Sequence, residues 1–164
     1  MKARDVMISD VYVAHKDDTV EDVLHKFATH RIGGMPIIDS NNKVIGYISD
    51  GDIMRFLGKR TGYTQTFLSL TADYVFYVEP DEGQQRDLDD FRRNFQEVSK
   101  QSVLDVGVKR AVCVTDDEEI QEVARILGQK KFKKVPVVRN DRLVGIISRG
   151  DVIRMAVQRF LRES

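Results

Sequence analysis

Only one cysteine, Cys113, and three histidines occur in the 164-residue sequence. An internal disulfide framework is therefore excluded, and a zinc site built from Cys and His would be short of ligands. Charge of one sign is also lacking, because 26 basic residues balance 26 acidic ones. That balance argues against a nucleic-acid binder. No apolar run approaches the roughly 18 residues a transmembrane helix needs, so no membrane association is expected. The start, Met1-Lys2-Ala3-Arg4-Asp5, has no signal-peptide character. Together with the lone thiol it points to a reducing cytoplasm. Catalytic motifs are missing too. Gly58-Lys59 lacks the upstream glycine of a phosphate loop, His25 and His30 do not share a helical face, and Cys113 has no histidine at a fixed spacing. The residues do not describe an enzyme.

What the chain does have is a copy of itself. At an offset of 100, Asp5-Val6 falls on Asp105-Val106, Asp17 on Asp117, Val23 on Val123 and Pro36 on Pro136. One residue is lost after the proline segment. At the resulting offset of 99, Gly46 meets Gly145, Ser49 meets Ser148, Asp52 meets Asp151 and Arg55 meets Arg154. Such a register identifies a tandem duplication.

Each copy reads as β-α-β-β-α. Val11-Tyr12-Val13-Ala14 and Ala111-Val112-Cys113-Val114 are strand-like, and Asp17-Asp18 and Asp116-Asp117 suit helix caps. Val20, Val23, Leu24 and Phe27, like Ile120, Val123, Ala124 and Leu127, recur at helical spacing. Met35-Pro36-Ile37-Ile38 and Val135-Pro136-Val137-Val138 read as buried strands. Turns at Asp39–Asn42 and Arg139–Asp141 lead to a further strand, and a second helix begins near Ser49 or Ser148. A unit of about 50 residues buries little surface alone. Two copies packed with approximate two-fold symmetry, an α/β (α+β) fold, solve that and create two related clefts.

Ser49-x-x-Asp52 and Ser148-x-x-Asp151 enter helices and admit two readings. As capping boxes they need no ligand. As ligand groups they offer a helix N-terminus to phosphate and a carboxylate to the two hydroxyls of a ribose.

The order of elements, with hydrophobic-Pro-hydrophobic-hydrophobic before the turn and Gly-x-x-Ser-x-x-Asp after it, resembles the CBS domain, named after cystathionine β-synthase. Two copies resemble a CBS pair, or Bateman module. The resemblance implies a regulatory module taking an adenosyl ligand (AMP, ADP or ATP first, NAD or S-adenosylmethionine as alternatives) in the clefts, with no obligatory cofactor, and associating as a homodimer. It assigns Asp52 and Asp151 to ribose, with Ser49 and Ser148 beside them. Basic residues before the proline contact phosphate in this family, which implicates Lys133 and Lys134. Copy one has Gly33-Gly34 there, leaving room for a purine ring or a second backbone, so the clefts are expected to differ.

Residues 58–104 separate the copies (1–57 and 105–164). Seven of the thirteen aromatics fall between them, including Tyr63, Phe67, Tyr74, Phe76 and Tyr77, which is unlike a flexible spacer. After Pro80, the stretch Arg86 to Lys100 reads as an amphipathic helix with Leu88, Phe91, Phe95 and Val98 on one face. That stripe is expected to cover the chain's own core or a dimer contact. The alternative function is a ligand-independent dimerisation module that docks a regulated protein partner through this helix.

Overall fold

The computed structural model describes residues 1–58, 80–129 and 131–161. A 3-10 turn (Ala3–Asp5) precedes β1 (Ala14–His15), α1 (Val20–His30), β2 (Gly34–Ile38), β3 (Val44–Ser49) and α2 (Asp50–Gly58). Then come α3 (Pro80–Ser99), α4 (Val103–Val106), β4 (Val114–Thr115), α5 (Ile120–Leu127), β5 (Lys134–Arg139), β6 (Arg142–Ser148) and α6 (Arg149–Ala156), closed by a π-helical turn (Val157–Leu161). The strands form two three-stranded sheets, ordered β1-β2-β3 and β4-β5-β6. Each pairs its first two strands parallel and its last two antiparallel, with a register shift at Ile37/Ile38 in one and Val137/Val138 in the other.

The expected first strands shrink to two residues each. Val11, Tyr12 and Val13 lie outside any strand, as do Ala111 to Cys113. Their backbone is crossing from one repeat to the other. The acidic pairs do not cap the helices either. Thr19 caps α1, its Oγ1 accepting from the Asp22 amide at 3.3 Å while Asp22 Oδ2 accepts from the Thr19 amide at 2.8 Å. The Thr19 amide, and then the Thr19 hydroxyl that also donates to Oδ2 at 2.9 Å, hold the Asp22 carboxyl below the usual carboxylate range. Asp18 instead closes the preceding turn, accepting from the His15 amide at 2.9 Å and pairing with Lys26 at 3.2 Å. Buried Asp116 takes the Arg139 guanidinium, with Nε 2.8 Å from Oδ2.

The helical and strand patterns converge on two cores. The first gathers Val20, Val23 and Phe27 of α1, Met35 and Ile37 of β2, Ile48 of β3, and Ile53 and Leu57 of α2. It also contains Val98 and Val103, from between the repeats. The second holds Val114, Val123, Leu127, Val135, Val137 and Ile147, together with Ala3 from the far end of the chain. Each repeat has thus given its leading segment to the other. The Ala3 amide donates to the Glu118 carbonyl at 2.8 Å, and the Ile120 amide to the Met1 carbonyl at 3.0 Å. Their counterparts run from Val103 to Asp18 at 3.1 Å and from Val20 to Gln101 at 2.9 Å. Ile8 and Ile146 exchange both backbone bonds at 2.9 Å, as Val108 and Tyr47 do at 2.9 and 2.8 Å. On the repeat register these contacts are images of one another, and the Lys43–Arg142 bridge, its own image, marks the pseudo-two-fold axis.

Gly46 and Gly145 sit under the two crossing segments. A Cβ on Gly46 would lie 2.7 Å from the Val108 carbonyl oxygen, and one on Gly145 would lie 2.5 Å from the Met7 sulfur. The group that approaches is the chain itself.

The helix after Pro80 forms and packs against α1 and α2. Its stripe divides. Val98 is fully buried, whereas Leu88, Phe91 and Phe95 remain exposed, the two phenyl rings stacking at 6.2 Å. Among the described side chains of α3, it is the last turn that reaches the core, where the crossing segment that follows enters the first repeat. Tyr63, Phe67, Tyr74, Phe76 and Tyr77 lie outside the described residues.

Candidate functional site

Strand β3 ends at Ser49 and α2 begins one residue later, so the Ser49 amide and hydroxyl and the free amides of α2 face the same turn. Asp52 Oδ2 accepts from the Ser49 amide and from the Ser49 hydroxyl, both at 2.8 Å, and Ser49 Oγ accepts from the Asp52 amide at 3.3 Å. The second repeat repeats this bond for bond. Asp151 Oδ2 accepts from the Ser148 amide at 2.7 Å and its hydroxyl at 2.6 Å, and the Asp151 amide donates back at 3.3 Å. Both Ser-x-x-Asp pairs are complete capping boxes. Both aspartates are nonetheless buried, at 6% and 7% exposure, and each uses its other oxygen, Oδ1, for a guanidinium three residues on, Arg55 or Arg154.

The two candidate phosphate lysines part company. Lys133 reaches across to the first repeat, its Nζ 3.9 Å from Asp50 Oδ1 at the start of α2. Lys134 lies directly opposite Ser148 in the β5–β6 ladder, on the same sheet face. Ser49, Asp52 and Lys133 therefore gather at one turn, and Ser148, Asp151 and Lys134 at the other.

Gly33-Gly34 leaves no open room. A Cβ on Gly33 would meet Asp50 Oδ2 at 2.7 Å, and one on Gly34 would meet the Tyr47 hydroxyl oxygen at the same distance. The space beside Gly34 is filled by the Tyr47 ring. Burial, and then the nearby Asp50 and Asp52 carboxylates, push the Tyr47 hydroxyl above the ordinary tyrosine value of 10.0. The second repeat has Ile146 in place of Tyr47 and Arg149 in place of Asp50. Arg149 spends its guanidinium on three carbonyls, those of Leu127 at 2.7 Å and of Gln129 and Phe132 at 2.9 Å. The turns are thus chemically unequal. Tyr47, Arg149 and the two clasping arginines have no motif of their own. Only the repeat alignment, with Tyr47 against Ile146 and Asp50 against Arg149, carried a signal for them.

Tyr47 makes stability depend on alkaline pH. Below about pH 10 the hydroxyl is neutral in folded and unfolded chains alike. As pH rises further the unfolded chain ionises first, so stability is lost above that value. Urea unfolding at pH 8 and pH 11 should show a smaller alkaline loss in Tyr47→Phe than in the wild type. Equal losses would mean that the ring does not ionise reluctantly.

Among the described residues, cavities lie elsewhere. One of about 400 Å³ is lined by Arg4, Thr115, Asp116, Asp117, Val138, Arg139 and Asn140. Another, about 250 Å³ and between the repeats, is lined by Ser9, Asp10, Val11, Val13, Ile38, Asn42, Leu143 and Val144. Neither includes the serines or aspartates of the two turns. Among the described residues, no three His, Cys, Asp or Glu side chains cluster as a metal site would require. Burial pushes the Cys113 thiol up to about 11, which keeps it protonated and a poor nucleophile at neutral pH.

The family model of the CBS domain matches residues 3–59 and 103–157, which are the two repeats. The chain belongs to the CBS domain family. An uncharacterised protein of Methanocaldococcus jannaschii is 25% identical over 158 residues, covering 96% of this chain and 92% of that protein. CBSX2 of Arabidopsis thaliana is 28% identical over 157 residues, and the match takes in 91% of this chain but only 60% of CBSX2. The crystal structure of CBSX2 in complex with AMP superposes with a TM-score of 0.68 at 24% identity, covering 97% of this chain and 98% of that one. The CBS domain pair of MJ0100, solved with 5-methylthioadenosine and S-adenosyl-L-methionine, gives 0.62 at 17% identity over 94% of both chains. The two-sheet, pseudo-symmetric fold of this CBS pair is therefore that of its solved relatives. Among the described residues no helix is long and apolar enough to cross a membrane.

Proposed function

We propose that this CBS pair is a regulatory module that binds an adenosine-containing ligand at its Ser-x-x-Asp turns. The observation that carries the reading is the pair of buried carboxylates, Asp52 and Asp151, each fixed at a strand-to-helix turn by its own serine. A carboxylate so placed suits a ribose diol, and the helix N-terminus beside it suits a phosphate. AMP, ADP and ATP fit best, because Lys133 and Lys134 each stand at one turn to meet phosphate. NAD and S-adenosylmethionine are the alternatives. The AMP bound by CBSX2 and the adenosyl ligands bound by MJ0100 support the same class. Ligand held at the first turn, which the first repeat builds and Lys133 of the second reaches, shifts the angle between repeats by as much as it prefers one arrangement. The module acts in the cytoplasm as a homodimer, signals to a protein partner rather than catalysing a reaction, and divides at 1–57, 58–104 and 105–164.

A thermal-shift panel tests this, with AMP, ADP, ATP, NAD and S-adenosylmethionine on the wild type, Asp52→Ala and Asp151→Ala. A ligand at 100 times its dissociation constant adds about 2.7 kcal/mol, which raises the melting temperature by several degrees at this length. The expected result is a rise with one ligand, erased by one aspartate variant, naming ligand and working turn together. No rise with any ligand at millimolar concentration overturns the reading. The second reading, a docking module that needs no ligand, then gains from the exposed Leu88, Phe91 and Phe95 of α3.

A further inference from the structure

We infer that Arg55 and Arg154 are clasps that compete with the ligand's ribose for Asp52 and Asp151, and so set its affinity. The inference rests on the adenosyl-ligand reading above and adds residues that reading does not use. Asp52 has one oxygen saturated, since Oδ2 already accepts from the Ser49 amide and hydroxyl. The remaining oxygen, Oδ1, is the one the Arg55 guanidinium holds. A ribose diol needs two acceptor positions on the carboxylate, and Oδ1 with a guanidinium on it offers at most one. The 2′- and 3′-hydroxyls therefore cannot both dock until the arginine leaves.

The arginine is built to leave. Its side chain is 67% exposed while that of Asp52 is 4% exposed, so the guanidinium is the outer cover on a buried group. It lies over Gly51, where an added Cβ would meet it at 3.7 Å, so residue 51 puts no side chain beneath it. The same geometry occurs at the other turn. Arg154 is 66% exposed, Asp151 is 7% exposed, and a Cβ on Gly150 would meet the guanidinium at 3.4 Å. Two independent copies of one arrangement make it a feature of the turn. Without ligand, the clasp keeps a buried carboxylate paired and the turn closed. With ligand, the ribose hydroxyls take over Oδ1 and the guanidinium swings into solvent.

Isothermal titration with AMP and with 2′,3′-dideoxy-AMP separates this from a general charge effect. Removing a cation near the site changes phosphate attraction equally for both ligands. Loss of the clasp favours only the one with hydroxyls. The readout is therefore the ratio of the two affinities. In Arg55→Gln or Arg154→Gln, whichever turn binds, that ratio should rise about two- to five-fold over the wild type, the range an exposed ion pair supports. Arg55→Lys keeps the charge without the planar fork and should fall between them. Unliganded melting temperatures should stay close to that of the wild type. A ratio unchanged or lowered in both glutamine variants, with AMP still binding, overturns the clasp and leaves the ligand reading standing. No binding of AMP, ADP, ATP, NAD or S-adenosylmethionine by any of these proteins overturns both.

Discussion

Replacing Ala3 by aspartate is expected to unfold the second repeat, more than a hundred residues away in sequence, before the first. Ala3 is fully buried in the core that gathers Val114, Val123, Val135, Val137 and Ile147 of the second repeat, not in the core of the first. Placing an unpaired carboxylate there costs on the order of 3–5 kcal/mol, the range for an uncompensated buried charge. That is a large share of the roughly 5–15 kcal/mol that keeps a domain folded. Hydrogen exchange locates the damage, with amide protection falling first in α5, β5 and β6. Val103→Asp should do the reverse, because fully buried Val103 belongs to the core of the first repeat. If Ala3→Asp strips protection from α1, β2 and β3 instead, the repeats do not exchange their leading segments.

Gly46→Ala and Gly145→Ala form the second large contrast, because equivalent residues of the two repeats should respond unequally. A methyl on Gly46 meets the Val108 carbonyl oxygen at 2.7 Å, and Val108 is held by two backbone hydrogen bonds to Tyr47. Neither side can yield without breaking that bridge, so the cost should be about 1–3 kcal/mol, as for other overpacked sites. A methyl on Gly145 meets the Met7 side chain, sulfur first at 2.5 Å. Met7 Cγ at 2.8 Å and Cβ at 3.0 Å are also close, but the sulfur and Cγ of an unbranched thioether can rotate away, and alanine restricts the unfolded chain relative to glycine. The net cost there should stay under about 1 kcal/mol. Urea midpoints at unchanged slope measure both. Equal losses would show that the crossing segment at Gly46 is as pliable as a methionine.

Much of the fold was legible in the chain, and the reason is locality. Helix α1 shows its apolar face at Val20, Val23 and Phe27 because a helix repeats every few residues, and β2 shows as a short β-branched run around Pro36. The hairpin turns show as Asn and Asp, and Asn42, Asn140 and Asp141 do adopt positive φ. The serine–aspartate turns were readable both as caps and as ligand groups, and their cap geometry is present in full. Less legible was the stripe on α3, where Phe91 and Phe95 have the spacing of a buried face and lie open. Periodicity reports which residues share a face, and says nothing of what meets that face. The strand expected at Val11–Val13 misled for a related reason. Its composition suits a ladder, but its backbone is occupied in passing between sheets.

The sequence by itself determined that this protein is a duplication, that each half runs β-α-β-β-α, and that a serine and an aspartate stand at each strand-to-helix turn. These follow from periodicity, turn chemistry and a register offset, all of which act between residues close in the chain or identical in the two copies. Only the tertiary structure decided that Ala3 and Val103 sit in each other's repeats, that Lys133 crosses to Asp50, and that Tyr47 fills the space beside Gly34. It also decided that Arg55 and Arg154 cover the second oxygens of their aspartates. Those outcomes depend on which of several chemically similar groups the packed backbone brings within a few ångströms, a choice made by excluded volume and by the pairing of buried polar atoms.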